Sequence, residues 1–383
     1  MVFRAGYGLH YNFAPLAPGQ GIYFNPPLFN LQLFFPNQQN IITIDNPWPG
    51  ELQAPVPPSA FTYDRNLRTG YTQQWSTTVE TDFGHGLVVE VGYIGSKGTK
   101  LLNARDINQA DAGPRRPNLR PNPFFLNIEQ IESAASSTYH SLQTRLQCRL
   151  RGGLTGLFSY TWSKSIDNAS AFFASGGDAN YPQDSNNMAA ERALSSFDLR
   201  HRFAGSFVYD LPIGEGHRLG GSAGGVGGAL LSGWQMNSVM VFQTGQPFTV
   251  ALPGEFDNSN TGIANLGFGA GDRLNVVGNP VLANPDPQAW FNTSAFALPA
   301  FGTFGDAGRN IITSPSLRNV NLSLLKDTSL GESATLQFRA ELFNVMNTPN
   351  FGLPNIFFGT PGFGRTLSAR DGREIQFGLK LLF

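Results

Sequence analysis

A single cysteine, Cys148, stands in a chain of 383 residues. That excludes an intrachain disulfide framework and any cysteine-built metal centre. Charge is scarce as well: 14% of the residues are Asp, Glu, Lys or Arg, against roughly a quarter in an average globular chain. The 26 basic and 27 acidic side chains nearly cancel and form no basic run, so a nucleic-acid backbone is excluded as a partner. No apolar stretch approaches the roughly 18 residues that a transmembrane helix needs. The opening MVFRAGYGLHY alternates from the start, without the charged and then apolar regions of a signal peptide, so an export signal is expected upstream of Met1.

Catalytic signatures are missing too. The five histidines, His10, His85, His140, His201 and His217, are isolated and form no HExxH. His201 reads as a rim or lipid-facing residue rather than a base. The chain contains no GxSxG, no GxxxxGK[ST] and no GxGxxG between a strand and a helix. The glycines of GGSAGGVGG match a phosphate cradle in composition alone. Asp257, Ser259, Thr261 and Gly262 mimic the start of a calcium loop, yet the twelfth place holds Phe268 instead of Glu. No catalytic, cofactor-binding or metal-ligating residue is therefore assigned, no cofactor is expected, and the chain is not expected to be an enzyme.

What is present is phenylalanine, 32 residues, and glycine, 44 residues, with a period-two pattern most visible at the end. In REIQFGLKLLF, Ile375, Phe377, Leu379, Leu381 and Phe383 share one face, and Glu374, Gln376, Gly378 and Lys380 the other. This is a strand with one apolar face. In a soluble sandwich it would be an edge strand. In a membrane barrel its apolar row has a reason to reach the last residue, because backbone at bilayer depth must be paired.

The same pattern recurs along the chain. It predicts strands at Val2 to His10, Thr69 to Phe83, Leu87 to Ile94, Tyr139 to Leu150, Leu154 to Trp162, Leu199 to Tyr209, Leu230 to Thr244, Leu317 to Leu325, Thr335 to Phe343 and the terminus. Their connections alternate short and long. The long ones are expected at about 11–68, 96–138, 163–196, 245–315 and 345–372, rich in Pro, Asn and Gly. An outer-membrane barrel has this anatomy, with short periplasmic turns and long outer loops, whereas soluble sandwiches have more even connections. The expected fold is all-β: an antiparallel transmembrane β-barrel of about ten strands over residues 1–383. Trp162, Tyr160, Tyr139, Tyr71 and Tyr93 are expected near the outer rim, and Tyr209, Phe83 and Trp234 near the inner one. Arg145, Arg149, Arg200, Arg202, Arg339 and Glu341 are expected to line a wet lumen. Trp48, Trp290 and the Phe and Asn side chains of the long loops are expected to form an external binding surface.

Several segments carry a more specific likeness. RTGYTQQWSTTVE, VEVGYIGSKGTKLL, YHSLQTRLQCRLRGGLTGLFSYTWSKSIDNAS, SSFDLRHRFAGSFVYDLPIG, FQTGQPFTV, GDAGRN, LQFRAELFNVMNTPNFG and IQFGLKLLF, in that order, resemble the barrel of the Oar-like TonB-dependent transporter family. The resemblance implies the C-terminal half of a 22-stranded barrel. The family's carboxypeptidase-regulatory-like domain, plug and TonB box have no counterpart in this sequence. It further implies outer-membrane location, energised uptake or handling of an unidentified substrate as part of a longer chain, and no catalytic residue. The implied partners are outer-membrane lipid, a BAM-type assembly machinery reading the C-terminal strand, the TonB complex through a missing N-terminal region, and an unknown extracellular ligand. The alternative is a passive porin or a structural or adhesive barrel.

Overall fold

The computed structural model describes the chain except for residues 13–20, 28–42, 46–56, 115–118, 172–180, 216, 218, 223, 255, 264–270 and 332. Its main sheet has twelve strands, ten of which form one path. These ten are β1 (Val2–Asn12), β2 (Gly70–Asp82), β3 (Leu87–Asp106), β4 (Ile128–Arg149), β5 (Leu154–Asp167), β6 (His201–Asp210), β7 (Trp234–Gln243), β8 (Leu317–Ser329), β9 (Thr335–Phe343) and β10 (Glu374–Leu382). They pair in chain order, each antiparallel to its neighbours. Two short strands join off the path: Ala60–Tyr63 lies parallel to the start of β4, and Ala193–Leu194 pairs with the end of β5. Among the described residues β1 is bonded to β2 and β10 to β9, with no ladder between β1 and β10.

Register sorts the side chains, because residues directly opposite one another share a face. Along one line of pairs run Phe3, Val79, Val91, Thr144, Tyr160, Phe203, Phe242. At the other end of the path, Phe338 of β9 opposes Leu379 of β10, and Ala340 opposes Phe377. The opposite face carries Arg4, Glu80, Glu90, Arg145, Gln143, Arg202, Gln337, Arg339 and Glu341 by the same parity. The apolar row stays exposed: Phe377 is 69% and Leu379 70% accessible. The helices of the described residues are too short and insufficiently apolar to cross a membrane, which says nothing against crossing with strands.

Glycine lets the aromatic residues lie flat on this face. A side chain at Gly95 would meet the Trp75 ring, with its nearest atoms 2.3 Å from the added carbon. The indole therefore covers the bare backbone of the neighbouring strand. Trp75, Tyr93, Tyr160 and Trp162 lie on the apolar face towards the ends carrying the long connections, as do His140 and His201. Tyr93 Oη bonds His140 Nδ1 at 2.7 Å, and Tyr160 Oη bonds His201 Nδ1 at 2.8 Å. Tyr139 departs from expectation. It sits opposite Ser96 and Ser165 on the polar face, because its parity is opposite to that of Leu142.

At one end of the strands the connections span 83–86, 150–153, 211–233 and 330–334, and at the other 13–69, 107–127, 168–200, 244–316 and 344–373; the alternation of short and long breaks at 211–233, whose 23 residues exceed the 21 of 107–127. The expected 96–138 loop is therefore much shorter than its sequence suggests. β3 and β4 continue into it as an extended pair, with register irregularities between Gly98, Leu101 and Asn103. Bulges of this kind break strict alternation, and with it the sequence signal, while pairing continues. The glycine-filled 211–233 connection holds a helix, α1 (Gly225–Leu231). Lys326 Nζ caps its end by donating to Ala229 O and Ser232 O, each at 2.7 Å, and also lies 5.5 Å from the Trp234 ring centre.

Face assignment makes the sheet testable. Val91→Arg, on the apolar face of β3 and part of the row that crosses seven strands, is expected to destabilise the protein in lipid vesicles by about 2–4 kcal/mol. Gln143→Arg, on the polar face of β4, is expected to change stability by no more than about 0.5 kcal/mol. Urea unfolding followed by tryptophan fluorescence measures both, and equal effects would contradict the assignment.

Candidate functional site: the cap built by the long connections

The polar face carries charge without gathering it into a reactive cluster. Arg4 reaches Glu80 at 3.0 Å and Glu90 at 3.9 Å, and Glu90 stands opposite Arg145. Arg145, Arg149, Arg202, Arg339 and Glu341 lie on this face as expected from their alternation. Arg200 falls just beyond it, 4.0 Å from Asp198. Among the described residues, no group of three or more His, Cys, Asp or Glu is placed to hold a metal ion.

The buried material lies mainly in the long connections. Phe248, Val250, Leu252, Leu274, Phe291, Ala295, Phe296 and Ile312 form an apolar core, all contributed by 244–316. Ile356, Phe358 and Phe363 pack on it from 344–373. Phe291 and Phe363 meet edge to face at 5.2 Å, and Phe358 and Phe363 at 5.4 Å, a geometry that aligns ring edges with ring faces. Backbone bonds lock the two connections together: Phe358 N donates to Ala251 O at 3.0 Å, and Trp290 N to Gly364 O at 2.8 Å. Trp290 is thus a strut. It packs on the core, and its indole N–H donates to Thr313 O at 2.8 Å. Trp48 lies outside the described residues.

A polar clasp surrounds this core and draws in the other connections. Gln109 Nε2 donates to Gln183 O at 2.7 Å, while Ser185 N donates back to Gln109 Oε1 at 2.6 Å. Gln183 Nε2 then donates to Gly305 O at 2.9 Å. Asn310 Nδ2 donates to Leu194 O at 2.8 Å, and Arg309 pairs with Asp167 at the end of β5. The GDAGRN segment is thus the junction at which 244–316 meets β5 and 168–200. Arg273 pairs with Glu191 at 2.5 Å, with both side chains buried. Burial pushes the Glu191 carboxyl up, against the pull of Arg273 and Arg309. Asp106 anchors the remaining connection: it accepts Asn108 N and Ile128 N at 2.9 Å, Asn127 Nδ2 at 2.7 Å and Arg120 Nη1 at 3.3 Å. Sequence reading passed over Glu191, Arg273, Arg309 and Asp106. Their one signal is charge inside otherwise apolar or Gly-rich segments.

The 257–262 segment is fixed tightly within this cap. Asp257 Oδ1 accepts Thr261 N at 3.0 Å, and Oδ2 accepts Gly262 N at 2.7 Å. Asp272, fully buried, accepts Ser259 N at 2.7 Å through Oδ2. Burial pushes its carboxyl up to about 6, opposed by bonds from Ser259 and reinforced by the charge of Asp257.

Against known proteins, residues 1–376 match the family described as "Outer membrane beta barrel domain". No curated protein sequence matches the chain. Among solved structures, the chain is similar to the outer membrane transporter YddB from Escherichia coli, with a TM-score of 0.48 and 11% identity over 99% of this chain and 38% of that one. It is also similar to the FrpB iron transporter from Neisseria meningitidis, with a TM-score of 0.35 and 10% identity over 85% of this chain and 33% of that one. A third likeness is to P. aeruginosa FpvA bound to heterologous pyoverdines, with a TM-score of 0.37 and 10% identity over 82% of this chain and 27% of that one. The chain thus spans well under half the length of these structures.

Two substitutions test the cap as a folded unit. Glu191→Ala leaves Arg273 buried without its partner and is expected to destabilise the cap by about 3–5 kcal/mol. Phe291→Ala opens a cavity in the apolar core, at a cost of about 3–5 kcal/mol. Amide hydrogen exchange should show faster exchange throughout 244–316 in both variants and unchanged protection in β4 to β8. Uniform loss of protection across sheet and cap would contradict an independent cap.

Proposed function

This chain belongs to the outer membrane beta barrel domain family, and on that premise we propose that it is the C-terminal barrel portion of a TonB-dependent receptor, working within a longer chain. Its place is the outer membrane. The observation that carries the reading is the pair of unpaired edges: β1 and β10 each offer one ladder side without a described partner. Open edges at bilayer depth leave backbone groups unsatisfied at several kcal/mol each. Further strands of the same barrel would pair them, which fits the half-barrel of a 22-stranded receptor. The ordered likeness of the strand and rim segments to the Oar-like transporters supports the same assignment.

The cap supports capture of a substrate over passive diffusion. Connections 107–127, 168–200, 244–316 and 344–373 are bonded into one packed body at the rim. A selective receptor needs such an outer surface, whereas a diffusion pore works with an unobstructed mouth. The substrate would meet the exposed side of the cap and then the polar face of the sheet. Energy would come through TonB, acting on a region outside this chain.

Two measurements decide between receptor and porin. Vesicles carrying the full-length gene product should not swell faster in arabinose than empty vesicles. Cells carrying the gene should deplete a solute from the medium, and an uncoupler should abolish that depletion. Swelling, or depletion that ignores the uncoupler, would establish the passive pore instead.

Assembly gives a third test. Phe383 is fully exposed at the end of the apolar row that β10 begins, the place an assembly machinery of the BAM type would read. In the full precursor, Phe383→Ala should lower heat-modifiable, membrane-inserted protein several-fold. An unchanged amount would remove Phe383 from that role.

A further inference from the structure

We propose that Asp257, Ser259 and Thr261, completed by Asp272, form a calcium site inside the cap. The first three occupy the first, third and fifth places of an oxygen-ligand loop, and Gly262 occupies the sixth. The backbone has the corresponding bends: φ is +59° at Asn260 and +84° at Gly262, a region that glycine enters at no steric cost. Asp257 closes the loop by accepting Thr261 N and Gly262 N. The hydroxyls converge on the same place, with Ser259 Oγ 2.9 Å from Thr261 Oγ1 and 3.4 Å from Asp257 Oδ1.

The sequence lacks the terminal acid of such a loop, but the fold supplies one. Asp272 is fully buried, and while its Oδ2 accepts Ser259 N, its Oδ1 has no hydrogen-bond partner. A buried carboxylate oxygen without a donor is costly, the more so beside the carboxylate of Asp257, and a cation at this point would give Asp272 Oδ1 a partner and offset both charges. The nearby guanidinium of Arg120 is committed elsewhere, to Gly262 O at 3.2 Å, Asp106 at 3.3 Å and Asn108 O at 3.1 Å.

An all-oxygen set on a bent loop suits calcium, which takes 6–8 oxygens in flexible geometry, over magnesium, which demands a near-ideal octahedron. Two carboxylates with two hydroxyls place the affinity in the range of roughly 10⁻⁴–10⁻³ M typical of extracellular modules. The site also sits on a junction. Ala110 N donates to Thr261 O at 3.2 Å, Gly113 N to Ser259 O at 3.3 Å, and Asn260 Nδ2 to Gly113 O at 2.9 Å. Calcium would therefore stiffen the contact between 107–127 and 244–316, whether or not transport through the barrel is energised.

Calorimetric titration of chelator-treated, detergent-folded full-length protein with calcium chloride tests the site directly, with limited proteolysis of the cap as a second readout. Native protein should bind calcium at least tenfold more tightly than magnesium and become more resistant to proteolysis in 244–316. Asp272→Asn keeps an acceptor for Ser259 N and should weaken calcium binding at least tenfold. Ser259→Ala leaves both acids in place and should weaken it about threefold, which decides the matter if Asp272→Asn fails to fold. No binding by native protein, equal affinity for magnesium, or native affinity in a folded Asp272→Asn or in Ser259→Ala would each overturn the proposal.

Discussion

Hydrocarbon supplies neither donors nor acceptors, so a chain that crosses it with strands must bond each strand to a neighbour along its length. Pairing in chain order is the simplest arrangement that meets this constraint, and the ten strands from Val2 to Leu382 follow it. The division of faces depends on it as well. With one face towards lipid, a one-residue slip anywhere would carry a polar row into hydrocarbon. The continuous apolar line from Phe3 through Phe203 to Phe242 shows the register held across seven strands. The unpaired sides of β1 and β10 are where the constraint is unmet within the described residues, which is why they bear on the proposed barrel.

A sheet wet on one face and greasy on the other has little interior of its own, so the buried core forms elsewhere. It forms in the cap, around Phe248, Phe291 and Leu274, where connections of sufficient length fold back on one another. The cap buries charge to hold its parts in register. The Arg273–Glu191, Arg309–Asp167 and Arg120–Asp106 pairs each join segments far apart in sequence. Such pairs add little net stability but penalise misassembly, since separating one strands a charge away from water. A rim that must keep its shape is well served by this division of labour: apolar packing for stability, paired charge for specificity.

The alternation of Ile375, Phe377, Leu379, Leu381 and Phe383 against Glu374, Gln376 and Lys380 was enough to fix a strand and its faces, because the period of a strand is written into its own residues. The same holds for the other nine strands and for most of the short–long rhythm of their connections, which fails where 211–233 is longer than 107–127. Alternation failed at its margins: beyond Gly98 a bulged register carries β3 and β4 well into an apparent loop, and Tyr139 lies on the face opposite to its expected belt. The cap was barely legible. Trp290 reads as a binding aromatic and is a strut, and GDAGRN reads as a motif without a role until Arg309 meets Asp167. Asp257, Ser259, Thr261 and Gly262 spell an incomplete loop until Asp272 arrives. Sequence by itself determined the all-β architecture, the two faces and the outer-membrane character, since these follow from local periodicity and composition. Only the tertiary structure decided which long connections join, which charges pair and which acid closes the 257–262 loop, because those contacts lie between residues up to 152 positions apart and no local pattern encodes a partner at that distance.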